Sequence, residues 1–118
     1  MILFVNKSTP KPGVTVLQMK GSIHSGPDCR RVEQEVEQLI SAHGSSVILD
    51  LTEVTHIDSA AIGSIVRCFT RAKNSGGNLY LAGCAGMIEA SIKLTRLDKV
   101  LEMFSTAAAA AEKCAPAN

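Results

Sequence analysis

The segment that decides the fold is residues 47–63, which read VILDLTEVTHIDSAAIG. Its first part, Val47–Leu51, is apolar but for one acid, as is typical of a central strand covered by helices. Its second part starts at Asp58 and Ser59, residues of the kind that cap helices, and apolar residues at helical spacing follow. The segment predicts a buried strand that leads through a turn into an amphipathic helix.

That helix is predicted from Ser59 to about Asn74. Its inward stripe is predicted to consist of Ile62, Ile65, Val66, Phe69 and Ala72.

The composition is that of an ordinary folded domain. The chain has 118 residues, of which 46% are hydrophobic and 19% charged, so a single domain is expected and disorder is not. Residues 115–118 are expected to form a flexible tail. The net charge of +1 offers little for phosphate contacts, which argues against nucleic-acid binding.

Four cysteines, Cys29, Cys68, Cys84 and Cys114, form neither a CxxC pair nor a metal-ligand spacing with the histidines. The N-terminus does not resemble a signal peptide, and no apolar run approaches the roughly 20 residues of a membrane helix. We therefore expect a cytoplasmic protein without membrane insertion and with reduced thiols. Cys29 and Cys68 are expected in the core, and Cys114 is expected as an exposed thiol in a mobile tail.

Turn and helix signals divide the chain before this segment. Ile2–Val5 is predicted as a strand, and Pro10–Gly13 as a turn. Val14–Met19 is predicted as a second strand, antiparallel to the first and ended by Gly21. A helix is predicted from Pro27 to its end at His43-Gly44, with a buried stripe of Cys29, Val32, Val36, Leu39 and Ile40.

After the segment, Leu79–Ala82 is predicted as a strand and Met87–Leu94 as a helix with Ile88 and Ile92 facing inward. Val100–Phe104 is predicted as a short edge strand. A last helix, capped by Ser105 and running through the alanines to Lys113, has few apolar side chains to bury. This order predicts an α/β fold: a mixed sheet of four to five strands with amphipathic helices packed over it.

Enzyme signatures are missing from the sequence. It has no Walker loop, no GxGxxG and no HExxH, so no cofactor or metal is predicted. His56, Asp58 and Ser59 lie close together in the sequence, and serine hydrolases use a serine nucleophile, a histidine base and an acid that orients the base. However, the GxSxG pattern is absent, and the end of the strand separates His56 from Ser59. The chain is therefore predicted not to be an enzyme, and labelling of Ser59 by a serine-reactive probe would contradict this.

The pair Asp58-Ser59 allows two interpretations. The simpler one is an N-cap, whose side chain bonds the free amides of the first helical turn. In the second, the serine hydroxyl accepts a phosphoryl group without unfolding the helix, because the helix dipole and the free amides favour the added charge.

The strand Val47–Leu51 followed by Ile57–Gly63 resembles the signature of the STAS domains, the anti-sigma-factor antagonists and their relatives. Matching features also occur at Gly21–Ile23, Gly76-Gly77 and Leu94–Leu97, so the likeness extends from about residue 5 to residue 113. Two positions depart from the family pattern. Ala61 stands where the family usually has glycine, and His24 stands where it often has an acid.

The resemblance implies that Ser59 is phosphorylated by an anti-sigma factor that is itself an ATP-dependent serine kinase. The unphosphorylated antagonist binds that factor and thereby regulates transcription in a bacterial cell, and phosphorylation ends the binding. A phosphatase and a weak homodimer are further implied partners. The implied partner-binding residues are His24, Ser25, Asp58, Ser59, Ala60, Ala61, Ile62 and Gly63. The methyl group of Ala61 suits a helix better than glycine does, but it is also able to obstruct a partner's close approach.

The same resemblance leaves a second function open. STAS domains also serve as non-phosphorylated accessory subunits of bacterial membrane transporters. Such a subunit would co-purify with an ATPase or permease, and its function would not depend on phosphorylation of Ser59.

Overall fold

The computed structural model describes residues 2–40 and 45–114. In chain order the elements are β1 (Phe4–Lys11), β2 (Val14–Ile23), α1 (Pro27–Ile40), β3 (Ser46–Ile57), α2 (Ser59–Asn74), β4 (Asn78–Ala82), α3 (Gly86–Leu94), a short 3-10 helix (Leu97–Lys99), β5 (Met103–Phe104) and α4 (Ala107–Lys113). The predicted helix end at His43-Gly44 and the predicted tail at residues 115–118 lie outside the described residues.

The five strands form one sheet in the order β1-β2-β3-β4-β5. β1 and β2 form an antiparallel hairpin, and the other neighbouring strands are parallel. This confirms the predicted mixed α/β sheet. Because the central strand β3 is parallel to β2 and β4, the carboxyl ends of all three strands lie at the same edge of the sheet.

The larger core lies between one face of the sheet and the helices α1, α2 and α3. Alternate residues of the strands, among them Leu17, Leu49 and Leu81, pack there against the apolar stripes of the helices. Ile88 and Ile92 of α3 are buried in this core, as predicted. Cys29 and Cys68 are buried there too, which confirms the expectation for both, and burial raises the pKa of Cys68 to about 12.

A smaller core lies on the opposite face of the sheet, under α4. Val14, Val16 and Ile48 pack there against Ala110 and Ala111. Thr106, not the predicted Ser105, caps α4, since its hydroxyl accepts a hydrogen bond from the Ala109 amide at 3.1 Å. The alanines suit this position because small side chains allow a helix to approach a sheet closely.

The expectation of an exposed Cys114 is wrong. Cys114 is buried in the smaller core, and burial raises the pKa of its thiol. All four cysteines lie in the described residues and are free thiols.

The hairpin is longer than the sequence predicted. β1 continues to Lys11 through Pro10, which an edge strand tolerates because one side of its backbone needs no hydrogen-bonded neighbour. β2 does not end at Gly21 but continues to Ile23. Gly21 has φ +108°, and a side chain there would collide with the Ile2 carbonyl oxygen.

The acid within the central strand has a structural role. Asp50 accepts hydrogen bonds from the backbone amide and the hydroxyl of Thr52. The pairing of β2 with β3 shifts register just beyond it, between Gln18 and Lys20. Past this shift, β3 continues to Ile57, six residues further than predicted.

Candidate functional site

The start of α2 is held by Asp58, the residue that connects it to β3. The Asp58 side chain is the N-cap: its Oδ1 accepts a hydrogen bond from the Ala61 amide at 2.9 Å. Its Oδ2 accepts another from the Ser25 amide in the β2–α1 loop, also at 2.9 Å. One carboxylate therefore ties two loops together at the edge of the sheet.

These contacts favour the charged form of Asp58. The hydrogen bond from the Ser25 amide and then that from the Ala61 amide hold the pKa of the carboxyl below its ordinary value. The N-cap interpretation of the pair Asp58-Ser59 is thus correct for Asp58.

Ser59 is the first residue of α2, and it is exposed. It stands at the positive end of the 16-residue helix, where added negative charge is favourable. Because Asp58 provides the cap, the Ser59 hydroxyl is not needed for it. The position combines access from solvent with a backbone held by the hydrogen bonds of Asp58.

The β2–α1 loop forms the rim of this site. His24 and Ser25 are both exposed, and the His24 Nδ1 atom lies 3.8 Å from Asp58 Oδ2. The backbone amide of His24 donates to Asp28 Oδ2 at 3.1 Å. The structure therefore brings His24, Ser25, Asp58 and Ser59 together, although Ser25 and Asp58 are 33 positions apart in the chain.

The remaining predicted site residues lie in the first two turns of α2. Ala60, Ile62 and Gly63 are half-buried. Ala61 is different, because it is completely buried in the core. Its methyl group supports the turn from below, and its role in binding a partner stays a prediction.

The arrangement does not form a hydrolase triad. The His56 Nδ1 atom lies 3.1 Å from the Thr55 hydroxyl, its immediate neighbour. Asp58, the candidate orienting acid, is engaged by two backbone amides. A nucleophilic serine needs a base that is itself oriented by a third group, and these contacts are not of that kind.

A polar cluster between α1 and α2 supports the site and was missed by the sequence analysis. The buried Ser64 hydroxyl donates to Glu33 Oε2 at 2.6 Å, and Arg67 pairs with the same carboxylate at 3.1 Å. The hydrogen bonds from Arg67 and then Ser64 lower the pKa of Glu33. The one signal in the sequence was Ser64, a serine at an inward-facing position of α2. Apolar periodicity counts only apolar residues, so it does not detect a buried serine.

A small notch next to the site was missed as well. It has an empty volume of about 230 Å³ and is lined by Thr55, His56, Ile57, Met87, Ile88 and Ser91. It forms because α3 packs beside the carboxyl end of β3. No local pattern could have predicted it.

Within residues 2–40 and 45–114, which the structure describes, no three His, Cys, Asp or Glu side chains come together as metal ligands. No helix in the same ranges has the length and apolar character that crossing a bilayer requires.

The sequence matches a family model, that of the STAS domain, over residues 8–110. A protein of Thermotoga maritima, provisionally described as an anti-sigma factor antagonist, is 27% identical over 77 residues, which are 65% of this chain and 68% of that protein.

Solved structures show the same fold. A crystal structure of a Thermotoga maritima protein with that same provisional description has a TM-score of 0.83 at 21% identity, with 93% of each chain covered. The phosphorylated form of the Bacillus cell fate determinant SpoIIAA has a TM-score of 0.74 at 12% identity, covering 93% of this chain and 98% of that one. A sulfate transporter family protein from Wolinella succinogenes is also similar, with a TM-score of 0.65 at 15% identity and coverage of 81% and 80%.

Proposed function

This chain belongs to the STAS domain family, and from that premise we propose that it is an anti-sigma-factor antagonist switched by phosphorylation of Ser59. The observation that carries the proposal is the exposed Ser59 at the first position of α2, beside the capping Asp58. The relatives described as anti-sigma factor antagonists support the general function. The chain acts as a single binding domain in the cytoplasm and not as a catalyst.

The partner is an anti-sigma factor with serine kinase activity. It binds the edge of the sheet where the β2–α1 loop and the start of α2 meet, contacting His24, Ser25 and Ser59 and the exposed atoms of Ala60 and Ile62. The hydrogen bonds of Asp58 hold these two segments in one arrangement before binding. Little ordering is then required on association, which favours affinity.

Phosphorylation ends the binding through charge. A phosphate on Ser59 adds about −1.5 to −2 charges next to the Asp58 carboxylate. The helix dipole stabilises that charge in the free protein, but an interface that buries it without a paired cation loses several kcal/mol. A loss of about 3 kcal/mol lowers affinity more than a hundredfold. The switch therefore needs no large change of fold.

The first experiment maps the phosphate. The protein is incubated with its kinase partner and ATP, and the product is digested and sequenced by mass spectrometry. Trypsin releases residues 32–67 as one peptide with five serines, so fragment ions must assign the position. Ser64 in the same helix is the internal control, because it is buried and bonded to Glu33. Phosphate is expected on Ser59 and not on Ser64.

The second experiment measures binding to the unmodified partner. Ser59→Ala is expected to bind as the wild type does, and Ser59→Asp at least about tenfold more weakly, since one carboxylate carries less charge than a phosphate. Absence of phosphate on Ser59, or wild-type binding by Ser59→Asp, would contradict the switch. Binding to no anti-sigma factor at all would contradict the function itself.

The role of a non-phosphorylated transporter subunit stays a prediction. The likeness to the sulfate transporter family protein is one of fold alone. A pull-down from the native cell distinguishes the two functions, because it recovers either a kinase-like anti-sigma factor or a transporter component.

A further inference from the structure

The outer face of α3 has an apolar flank. α3 buries Ile88 and Ile92, yet Met87 and Leu94 are 77% and 86% exposed, more than any other large apolar side chain in the described part of the chain. These two residues are seven positions apart, which is close to two helical turns, so they lie in line along one side of the helix. A nine-residue helix that exposes both is suited to contact another surface.

The other flank of the same face is charged. Glu89 and Lys93 lie there as an ion pair, with 3.8 Å between Lys93 Nζ and Glu89 Oε2. The exposed Ala90 lies between the two flanks, where its small side chain permits another backbone to come close. Along the helix the face therefore has an apolar residue at each end, a small residue in the middle and two opposite charges on one side.

We propose that this face binds the same face of a second copy of the chain, with the two α3 helices antiparallel about a two-fold axis near Ala90 and Ser91. A two-fold interface requires that whenever one residue contacts another, the reverse contact also forms. In this register Met87 packs on Leu94 of the second copy, and Glu89 faces Lys93 of the second copy. Both contacts then occur twice.

The charges indicate that the bound partner is a second copy of the chain and that the two α3 helices run antiparallel. A parallel two-fold pair of helices would set the charged flank of one copy, Glu89 and Lys93, against the apolar flank of the other, which leaves both charges unpaired across the interface. An anionic lipid surface would gain nothing from Glu89. An antiparallel copy of the same helix satisfies the apolar flank and both charges together.

The size of the face indicates a transient dimer. A helix of this length spans only about 13 Å, and such a contact falls below the roughly 1,200 Å² that stable interfaces bury. Met87 and Ser91 also line the notch beside His56. The second copy would therefore cover a surface adjoining the site at Ser59 and would compete with a large partner bound there.

Sedimentation velocity on the whole chain tests the surface. Sedimentation is measured from about 10 µM to about 1 mM, the range in which a weak complex forms. A concentration-dependent dimer is expected for the wild type, and Leu94→Glu is expected to stay monomeric. The control is Ile2→Glu, which changes a similarly exposed apolar residue outside α3 and should dimerise as the wild type does.

A mixing experiment tests the register. Glu89→Lys and Lys93→Glu should each raise the dimer dissociation constant by about tenfold, because each places like charges opposite one another twice. An equal mixture of the two variants should recover wild-type association, since lysines then face glutamates in both contacts. The ion pair within the helix is broken in both variants and stays broken in the mixture, so the recovery cannot come from helix stability.

Three results would overturn the proposal. They are a monomeric wild type at about 1 mM, a dimer that Leu94→Glu leaves intact, and a mixture that associates no better than its components. A monomer in which Leu94→Glu weakens binding to the anti-sigma factor would also overturn it and would assign the face to that partner. None of these outcomes depends on phosphorylation of Ser59.

Discussion

Two turns at the same edge of the sheet are fixed in different ways. The β3–α2 turn has one connecting residue, Asp58, whose carboxylate bonds the amides of Ser25 and Ala61. The β4–α3 turn, Gly83–Gly86, has alanine at the N-cap, a residue without a side-chain acceptor. This second turn relies on glycines instead, with φ +72° at Gly83 and φ +56° at Gly86.

The difference decides which turn can carry a regulated site. A turn held by a carboxylate keeps its backbone fixed and leaves the next side chain, Ser59, free at the surface. At Gly83 the second turn is held by contact, because a Cβ atom there would lie 2.8 Å from the Thr52 amide nitrogen and closer still to the Thr52 hydroxyl. The reactive side chain of this turn is the half-buried Cys84 thiol, and burial raises its pKa to about 11, so the turn offers no exposed hydroxyl as the start of α2 does.

Of the variants that test the two turns, Gly83→Ala should lower the stability of the fold most. The new methyl group collides with Thr52 of β3, and alanine at positive φ adds strain. We expect the free energy of unfolding to fall by about 3 kcal/mol, the sum of these two costs. Urea denaturation followed by circular dichroism measures it. Wild-type stability would show that the contact with Thr52 does not hold the turn.

Gly86→Ala is the matched variant at the other end of the turn. Its φ is also positive, but a Cβ atom there would meet nothing within 4 Å. Only backbone strain remains, so we expect a loss of about 1 kcal/mol in the same assay. Equal losses for the two variants would mean that strain alone, and not the approach of β3, makes glycine necessary.

The sequence predicted the parts of the fold that local patterns encode. The bounds of α2, Ser59–Asn74, were correct because a cap, a clear period and a terminal turn coincide there. β1 was cut short because almost all its residues are exposed, so it shows no apolar alternation. Val66 was placed inward but is 40% exposed. The apolar periodicity of α2 carries no information on polar residues, so it could not predict that Ser64 is buried against Glu33.

The position of the candidate site in the fold was predictable from the sequence, but its geometry was not. Asp58-Ser59 at the start of a helix is a local signal, and the structure has both residues where the sequence placed them. The bond from Ser25 to Asp58, the burial of Ala61 and the notch beside α3 depend on which segments meet in three dimensions. Cys114 illustrates the same limit, since its burial depends on α4 crossing to the opposite face of the sheet.

Of the variants that test the two turns, Asp58→Asn should lower the stability of the fold least. Its effect should depend on pH, unlike that of a variant in the β4–α3 turn. Asparagine caps helices about as well as aspartate, but it has one acceptor oxygen, so the variant removes the charge and one of the two hydrogen bonds from the Ser25 and Ala61 amides. The folded-state pKa of Asp58 lies below its unfolded value of about 3.9, so its charge stabilises the fold above that pH. That contribution is lost as the pH falls through the folded-state pKa. The melting temperature of the variant should therefore be a few degrees lower at pH 5 and equal to that of the wild type at the acid end.

Gly86→Ala provides the contrast for this titration, because it alters the β4–α3 turn without changing a charge. Its difference from the wild type should stay constant between pH 5 and pH 3, about the range in which a carboxylate titrates. The control Asp98→Asn removes a carboxylate from the 3-10 helix instead. A difference for Asp58→Asn that persists unchanged at low pH would show that the charge of Asp58 does not hold the β3–α2 turn. The two turns would then differ only in geometry, and the advantage of a carboxylate beside Ser59 would have to lie in partner recognition.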